Sequence, residues 1–212
     1  MNEQASKIIH TSNVYHNEWA GKLAELLVTL TQSEGGLGYP STRNASAANI
    51  DGHPPALPGA KVFFANTGTE ANEGALKIAR RVGKDVWAAR NGKRWDDDGC
   101  TKFKIVCFEN SFHGRSMGAL SVTSNPKYQK PFEPLIPGVD VGRLNDFEAL
   151  EKGLVGEDTC AVIVEPIQGE GGIHEASEEW LRALRKKCDE AGAVLIFDEI
   201  QVSRLEEYHN GY

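Results

Sequence analysis

Apolar positions recur along the chain at two spacings. Trp19, Leu23, Leu26, Leu27 and Leu30 fall at helical intervals, which predicts an amphipathic helix over 18–31. From 33 to 58 the period disappears and Gly, Ser, Asn and Pro accumulate, as in a loop. Residues 61–65 are a short apolar run of strand type, closed by the tight turn Asn66-Thr67-Gly68-Thr69. A helix follows in which Ala71, Ala75, Ile78, Ala79 and Val82 share one face. Thr67 and Glu70 stand three apart, the spacing of a capping box at its start. Residues 88–101 are polar and Gly/Asp-rich, a surface excursion, and 103–108 is a second strand. The breakers in 114–137 predict a long irregular segment, after which Asn145 is expected to cap a short helix carrying Phe147, Leu150 and Leu154. A third strand, 161–164, ends at Glu165-Pro166 and a Gly-rich loop, 169–172. Ser177 then caps a helix with Trp180, Leu181, Leu184, Cys188 and Ala191 on its buried face, Gly192 ends it, and 193–197 is the last strand.

These strands are apolar throughout and alternate with helices. The expected fold class is therefore α/β, a mostly parallel sheet with helices on both faces. At 212 residues the chain is long enough for one such domain or a piece of a larger one. A formal net charge of -7 argues against nucleic acid, which calls for a basic face. No apolar run is long enough to span a bilayer. Cys100, Cys107, Cys160 and Cys188 form no C-x-x-C pair, so zinc and redox motifs are not expected. Residues 1–10 lack the apolar stretch of a signal peptide and the Arg-rich look of an organelle transit peptide.

In open α/β sheets ligands bind beyond the carboxyl ends of the strands, and the chemically promising residues fall there. Gly68-Thr69 opens a helix, where free N–H groups and the positive dipole end make a phosphate site, or a plain turn. Asp198 directly follows an apolar strand, where a carboxylate is costly to bury without a cation or donors. Phe112 is a stacking platform or core; His113 a ligand, base or structural residue. Arg115 is a carboxylate fork or a surface ion pair. Glu165 and Glu170 are a pair of acids whose relation depends on distance. The glycine spacing matches neither G-x-G-x-x-G nor the Walker loop.

Read in order, F-F-A-N-T-G-T-E-A-N-E (63–73), N-S-F-H-G-R (110–115), V-E-P-I-Q-G-E-G-G-I (164–173) and L-I-F-D-E-I-Q (195–201) resemble the class-III, ornithine-type family of fold-type I, pyridoxal-phosphate-dependent aminotransferases. The stretch 128–139 looks most like its acetylornithine branch. The resemblance runs from about His10 to Gln201. It implies that Gly68 and Thr69 hold the cofactor phosphate, Phe112 stacks on the pyridine ring, and Asp198 keeps the ring nitrogen protonated, making the ring an electron sink. Gln201 would lie near the ring hydroxyl; His113 and Glu165 would complete the cofactor site. Arg115 would grip a substrate carboxylate, and Glu170 would gate, pairing with a more C-terminal arginine. The implied reaction is transfer of the terminal amine of N-acetylornithine to 2-oxoglutarate, in arginine biosynthesis, by a homodimer in the mitochondrial matrix.

The chain departs from that family after Gln201. No lysine follows Lys187, so the family's Schiff-base lysine has no counterpart, and 202–208 do not match the family's Gly-rich continuation. The expectation is a partial large domain at 59–201, preceded by a helix-and-loop segment at 1–58 and followed by an atypical tail at 202–212, without the small C-terminal domain. Such a chain would have negligible transaminase activity alone. The alternatives are an ornithine, succinylornithine or 4-aminobutyrate aminotransferase; a non-catalytic fragment that pairs with a full-length subunit; and an NAD-binding protein, disfavoured by the missing G-x-G-x-x-G.

Overall fold

The computed structural model describes residues 2–12, 14–34 and 60–201, with backbone alone for 31–34. They separate into two compact units, one up to Phe64 and one from Ala65 onward. In the first, helix α1 (Asn2–Lys7) is tied to helix α2 (Glu18–Glu34), where the Trp19 indole N–H donates to Gln4 Oε1 at 2.8 Å. The predicted helix over 18–31 thus forms and runs on through residues 33 and 34, the first two of the expected loop. The rest of that loop, 35–58, and the tail at 202–212 lie outside the described residues. Residues 61–65 are not a strand among the described residues. An apolar run becomes a strand only when a neighbour takes up its backbone groups, and none of the described strands pairs with it.

The second unit is built on four parallel strands: β1 (Lys104–Phe108), β2 (Val139–Gly142), β3 (Thr159–Val164) and β6 (Val194–Phe197), in the order β2-β1-β3-β6. Successive side chains point to opposite faces, and both faces are covered. Ile105, Cys107 and Ile163 pack with Leu76 and Ala79 of helix α3 (Gly68–Asn91). Val106, Phe108, Val162 and Val164 pack with Trp180, Leu184 and Cys188 of helix α7 (Glu178–Ala191) and with Leu150 of helix α6 (Phe147–Glu151). Trp180 meets Phe108 edge-on, with ring centroids 5.0 Å apart. Among the described residues, no helix is long and apolar enough to cross a membrane.

Helix α3 departs from expectation in length and in face. It continues to Asn91, so the surface excursion begins at Gly92. Its buried residues include Asn72, Leu76, Ala79 and Gly83, whereas Ile78 and Val82 are exposed. Gly83 is there because the helix lies hard against β3: a Cβ on it would come within 2.5 Å of the Cys160 Cβ. The segment read as irregular holds two short helices, α4 (Met117–Ser121) and α5 (Pro126–Gln129). A long-range cap supports α4: the Glu73 carboxylate of α3 accepts from the Gly118 and Ala119 N–H groups, at 2.8 and 3.1 Å. Asn145 is not the cap of α6; Asp146 is, its carboxylate accepting from the Ala149 N–H at 2.8 Å. Asn145 has a positive φ and joins elements instead, accepting from the Ser177 N–H and donating to the Glu175 carbonyl.

The connections leaving β1 and β3 diverge. The chain after β1 passes to α4 on the α3 face, where Val122 joins that core. The chain after β3 passes through a small antiparallel pair, β4 (Ile167–Gln168) and β5 (His174–Glu175), to α7 on the other face. Divergence of adjacent connections opens a crevice at the carboxyl ends of the strands.

Candidate active site

Helix α3 begins at the crevice. Its cap is Thr67, whose Oγ1 accepts from the Glu70 N–H at 3.2 Å, while the Glu70 carboxylate accepts from the Asn66 N–H at 2.8 Å. The capping box is thus present, with its return bond shifted one residue back. The N–H groups of Gly68 and Thr69 keep no acceptor among the described residues. The start of a 24-residue helix with two free N–H groups attracts an anion. A Cβ on Gly68 would lie 2.6 Å from the Ile200 side chain, which walls the cleft at this point and would have to move to admit it.

Asp198 faces this helix end from the end of β6, and it is buried. Its Oδ2 accepts from Asn72 Nδ2 at 2.9 Å and lies 2.7 Å from His113 Nδ1; its Oδ1 accepts from the Ile200 N–H at 3.1 Å. Burial alone would push the carboxyl up. The hydrogen bond and attraction of His113, then Asn72 and the Ile200 N–H, outweigh it and hold Asp198 below the usual aspartate value. A carboxylate has about four lone-pair sites, so one remains for a further donor.

His113 has no exposed side-chain surface, and its Nε2 is buried without a hydrogen-bond partner among the described residues. Two bonds fix its loop: the His113 N–H donates to Thr123 Oγ1 at 2.9 Å, and the Ser111 hydroxyl donates to the Val122 carbonyl at 2.8 Å. Glu165, at the end of β3, reaches across the crevice and accepts from the Phe112 N–H at 2.9 Å. Burial pushes its carboxyl above the usual glutamate value; the Phe112 N–H and His113 oppose this only in part, and Asp198 adds to it.

Gly68, Thr69, Phe112, His113, Glu165, Asp198 and Gln201 all line this one cleft, together with Thr67, Gly114, Ile167 and Ile200. Arg115 and Glu170 do not. Both are exposed and lie outside the cleft, beside Tyr128. Two residues that matter to the arrangement escaped the sequence reading. Asn72 had a signal, because it shares the helical spacing of Leu76, Ala79 and Gly83. Tyr128 opens the stretch 128–139 that carries part of the resemblance, but its place beside Arg115 and Glu170 depends on α5, which the pattern did not reveal.

A helix start with free N–H groups, an aromatic side chain and a buried anionic carboxylate with a spare lone pair define a class of site. It suits a flat, phosphorylated heterocycle with a protonated ring nitrogen. Comparison with known proteins agrees: the aminotransferase class-III family model matches residues 1–203, and the chain belongs to that family. It is 50% identical over 199 residues to the mitochondrial acetylornithine aminotransferase of Yarrowia lipolytica, covering 94% of this chain and 40% of that protein. It is 48% identical over 199 residues to that of Neurospora crassa, covering 94% and 37%. Among solved structures, the ornithine aminotransferase of Toxoplasma gondii, described with partial occupancy of PLP at its active site, superposes with a TM-score of 0.68 at 28% identity, over 94% of this chain and 39% of that one. The chain therefore spans well under half the length of these relatives.

Proposed function

We propose that this chain is the cofactor-binding part of a pyridoxal 5′-phosphate-dependent aminotransferase that moves the terminal amine of N-acetylornithine to 2-oxoglutarate, in arginine biosynthesis. The observation that carries the reading is that the phosphate-type helix end, Phe112 and the anionic Asp198 line one cleft. The similarity to acetylornithine aminotransferases supports the substrate pair. The names of these two fungal relatives support a mitochondrial location, and the family resemblance a homodimer.

The cofactor, when bound, supplies an electron sink for the bond broken at the amine-bearing carbon. The rest falls to the chain's own side chains. The N–H groups of Gly68 and Thr69 would hold the phosphate. Phe112, fixed through its backbone by Glu165, would lie against the ring, with Gln201 near the ring hydroxyl. Asp198 would hold a proton on the ring nitrogen, kept ionised by His113 and Asn72. Arg115 would bind a substrate carboxylate, with Glu170 as the gate.

Pyridoxamine 5′-phosphate tests the cleft directly, because it binds without reacting with lysines. Titrated into the purified chain and followed by its fluorescence, it is expected to saturate, and Asp198→Asn is expected to weaken it about tenfold or more. No saturable binding by the wild-type chain, or equal affinity in the variant, sinks the reading.

A further inference from the structure

Arg115 and Glu170, the two candidate residues outside the cleft, share a neighbour. The Arg115 guanidinium lies 4.0 Å from the centroid of the Tyr128 ring. The Tyr128 hydroxyl donates to Glu170 Oε1 at 3.2 Å. The same ring meets Phe112, a lining residue of the cleft, edge-on at 6.0 Å. Tyr128 is half-buried and its backbone is pinned. Pro126 opens α5, Asn125 caps it by accepting from the Lys127 N–H at 3.0 Å, and the Tyr128 N–H donates to the Asn125 carbonyl at 2.9 Å. The next residue ties α5 to α4, Gln129 Nε2 donating to the Leu120 carbonyl at 3.1 Å.

Arg115 and Glu170 carry opposite charges and stand near one another, yet among the described residues they form no ion pair. The aromatic ring takes the guanidinium by cation–π contact, and its hydroxyl takes the carboxylate. A guanidinium held this way spends none of its N–H groups on an acceptor, and those are the groups that grip a carboxylate bidentately.

We infer that Tyr128 is a positioning residue that presents Arg115 as an open fork for a substrate carboxylate and keeps Glu170 from neutralising it. This rests on the reading of Arg115 as a carboxylate ligand in an aminotransferase. Arg115 also lies 5.8 Å from the centroid of the Phe112 ring, so Tyr128 and Phe112 together set the arginine at the margin of the cofactor cleft. The Tyr128 ring does the holding and its hydroxyl restrains Glu170, so the two roles separate by substitution.

The test uses the chain loaded with pyridoxamine 5′-phosphate and titrated calorimetrically with glutarate, a dicarboxylate that accepts no amine. Tyr128→Phe keeps the stack but drops the bond to Glu170, so it is expected to weaken binding by about threefold, between wild type and Tyr128→Leu. Tyr128→Leu loses the stack and frees Glu170 to pair with Arg115, so affinity is expected to fall about tenfold. Adding Glu170→Gln to Tyr128→Leu removes the competing charge and is expected to restore most of that loss. A purely structural tyrosine would show no such rescue. Unchanged affinity for the cofactor analogue in Tyr128→Leu reports that the cleft is intact. The proposal is overturned if Tyr128→Leu binds glutarate like wild type, or if the double variant stays as weak as the single one. Glutarate affinity that survives Arg115→Gln removes the role of Arg115 itself, and the proposal with it.

Discussion

Lys102 and Asp198 are both buried charges, and they sit at opposite ends of the same sheet. Lys102 is only 1% exposed, just before β1 at the amino edge. Its ammonium donates to the carbonyls of Glu157, Thr159 and Ala191 at 2.9, 2.7 and 2.8 Å. An ammonium has three N–H groups, so every donor is used. Asp198 is 7% exposed, at the carboxyl edge. Its oxygens accept three hydrogen bonds and keep capacity for another on the side of the cleft. The difference separates a structural ion from a site. Lys102 is saturated by backbone and has nothing left to offer a ligand, whereas Asp198 is held ionised by neighbours and left incomplete where a ligand can complete it.

The comparison breaks most visibly at Lys102. Lys102→Met takes the donor from three carbonyls at the junction of β3 and the end of α7, leaving Arg90 alone on Ala191, at 2.9 Å. The expected loss of unfolding free energy is about 2–3 kcal/mol, read from urea denaturation, with affinity for pyridoxamine phosphate in the folded fraction unchanged. Asp198→Asn is expected to behave the other way round, losing affinity more than stability. A Lys102 variant that keeps full stability, or that loses affinity in proportion, removes the distinction between the two ions.

Much of this frame was legible in the sequence, and the failures have physical causes. Apolar runs gave β1 and β3 because both are buried between two helical layers, and β6 because its Val194, Leu195 and Ile196 half-bury against the same two layers although it is an edge strand. The caps Thr67, Ser177 and Gly192 were legible because capping is local chemistry. β2 was missed: Val-Asp-Val-Gly is an edge strand whose middle residues are exposed, so no apolar run marks it. α4 was missed because Gly118 and its neighbours owe their helix to Glu73, far away in sequence. The buried face of α3 was misread because two of its positions are held by reasons other than hydrophobicity. Asn72 bonds Asp198, and Gly83 lets β3 approach. The cleft residues were legible as an ordered set of motifs, and each of them lines the cleft. The contact of Arg115 and Glu170 with Tyr128 was not, since only the tertiary course of α5 brings that ring between them.

Acid sharpens the comparison next. The folded pKa of Asp198 lies below its unfolded value of about 3.9. The stability its ionisation contributes is therefore complete above that unfolded value and is lost as pH falls through the lower, folded one. Affinity for the protonated-ring form of the cofactor analogue is expected to follow the same carboxylate, persisting below pH 4.5 and failing only with further acid. Binding that collapses near pH 5 would show that another group carries the charge.

The smallest expected effect comes from Glu165, which follows β3 as Asp198 follows the adjacent β6, yet is shifted the opposite way. Its folded pKa lies above the unfolded value because burial, and the nearby charge of Asp198, outweigh the Phe112 N–H bond. A carboxyl with a raised folded pKa contributes stability that is complete below its unfolded pKa, about 4.3, and is lost as pH rises through the folded one. At pH 7 its charge is thus a cost that Gln would not carry, while the amide oxygen of Gln still accepts from the Phe112 N–H. Glu165→Gln is expected to raise the unfolding free energy at pH 7 by on the order of 1 kcal/mol or less, read as a higher thermal midpoint, with the gain vanishing below roughly pH 4. Scanning both proteins across that range decides it. A variant that is less stable at pH 7 by a margin independent of pH would mean that the charge of Glu165 is matched by its donors. Asp198 would then not be the only carboxylate of the cleft kept ionised for use.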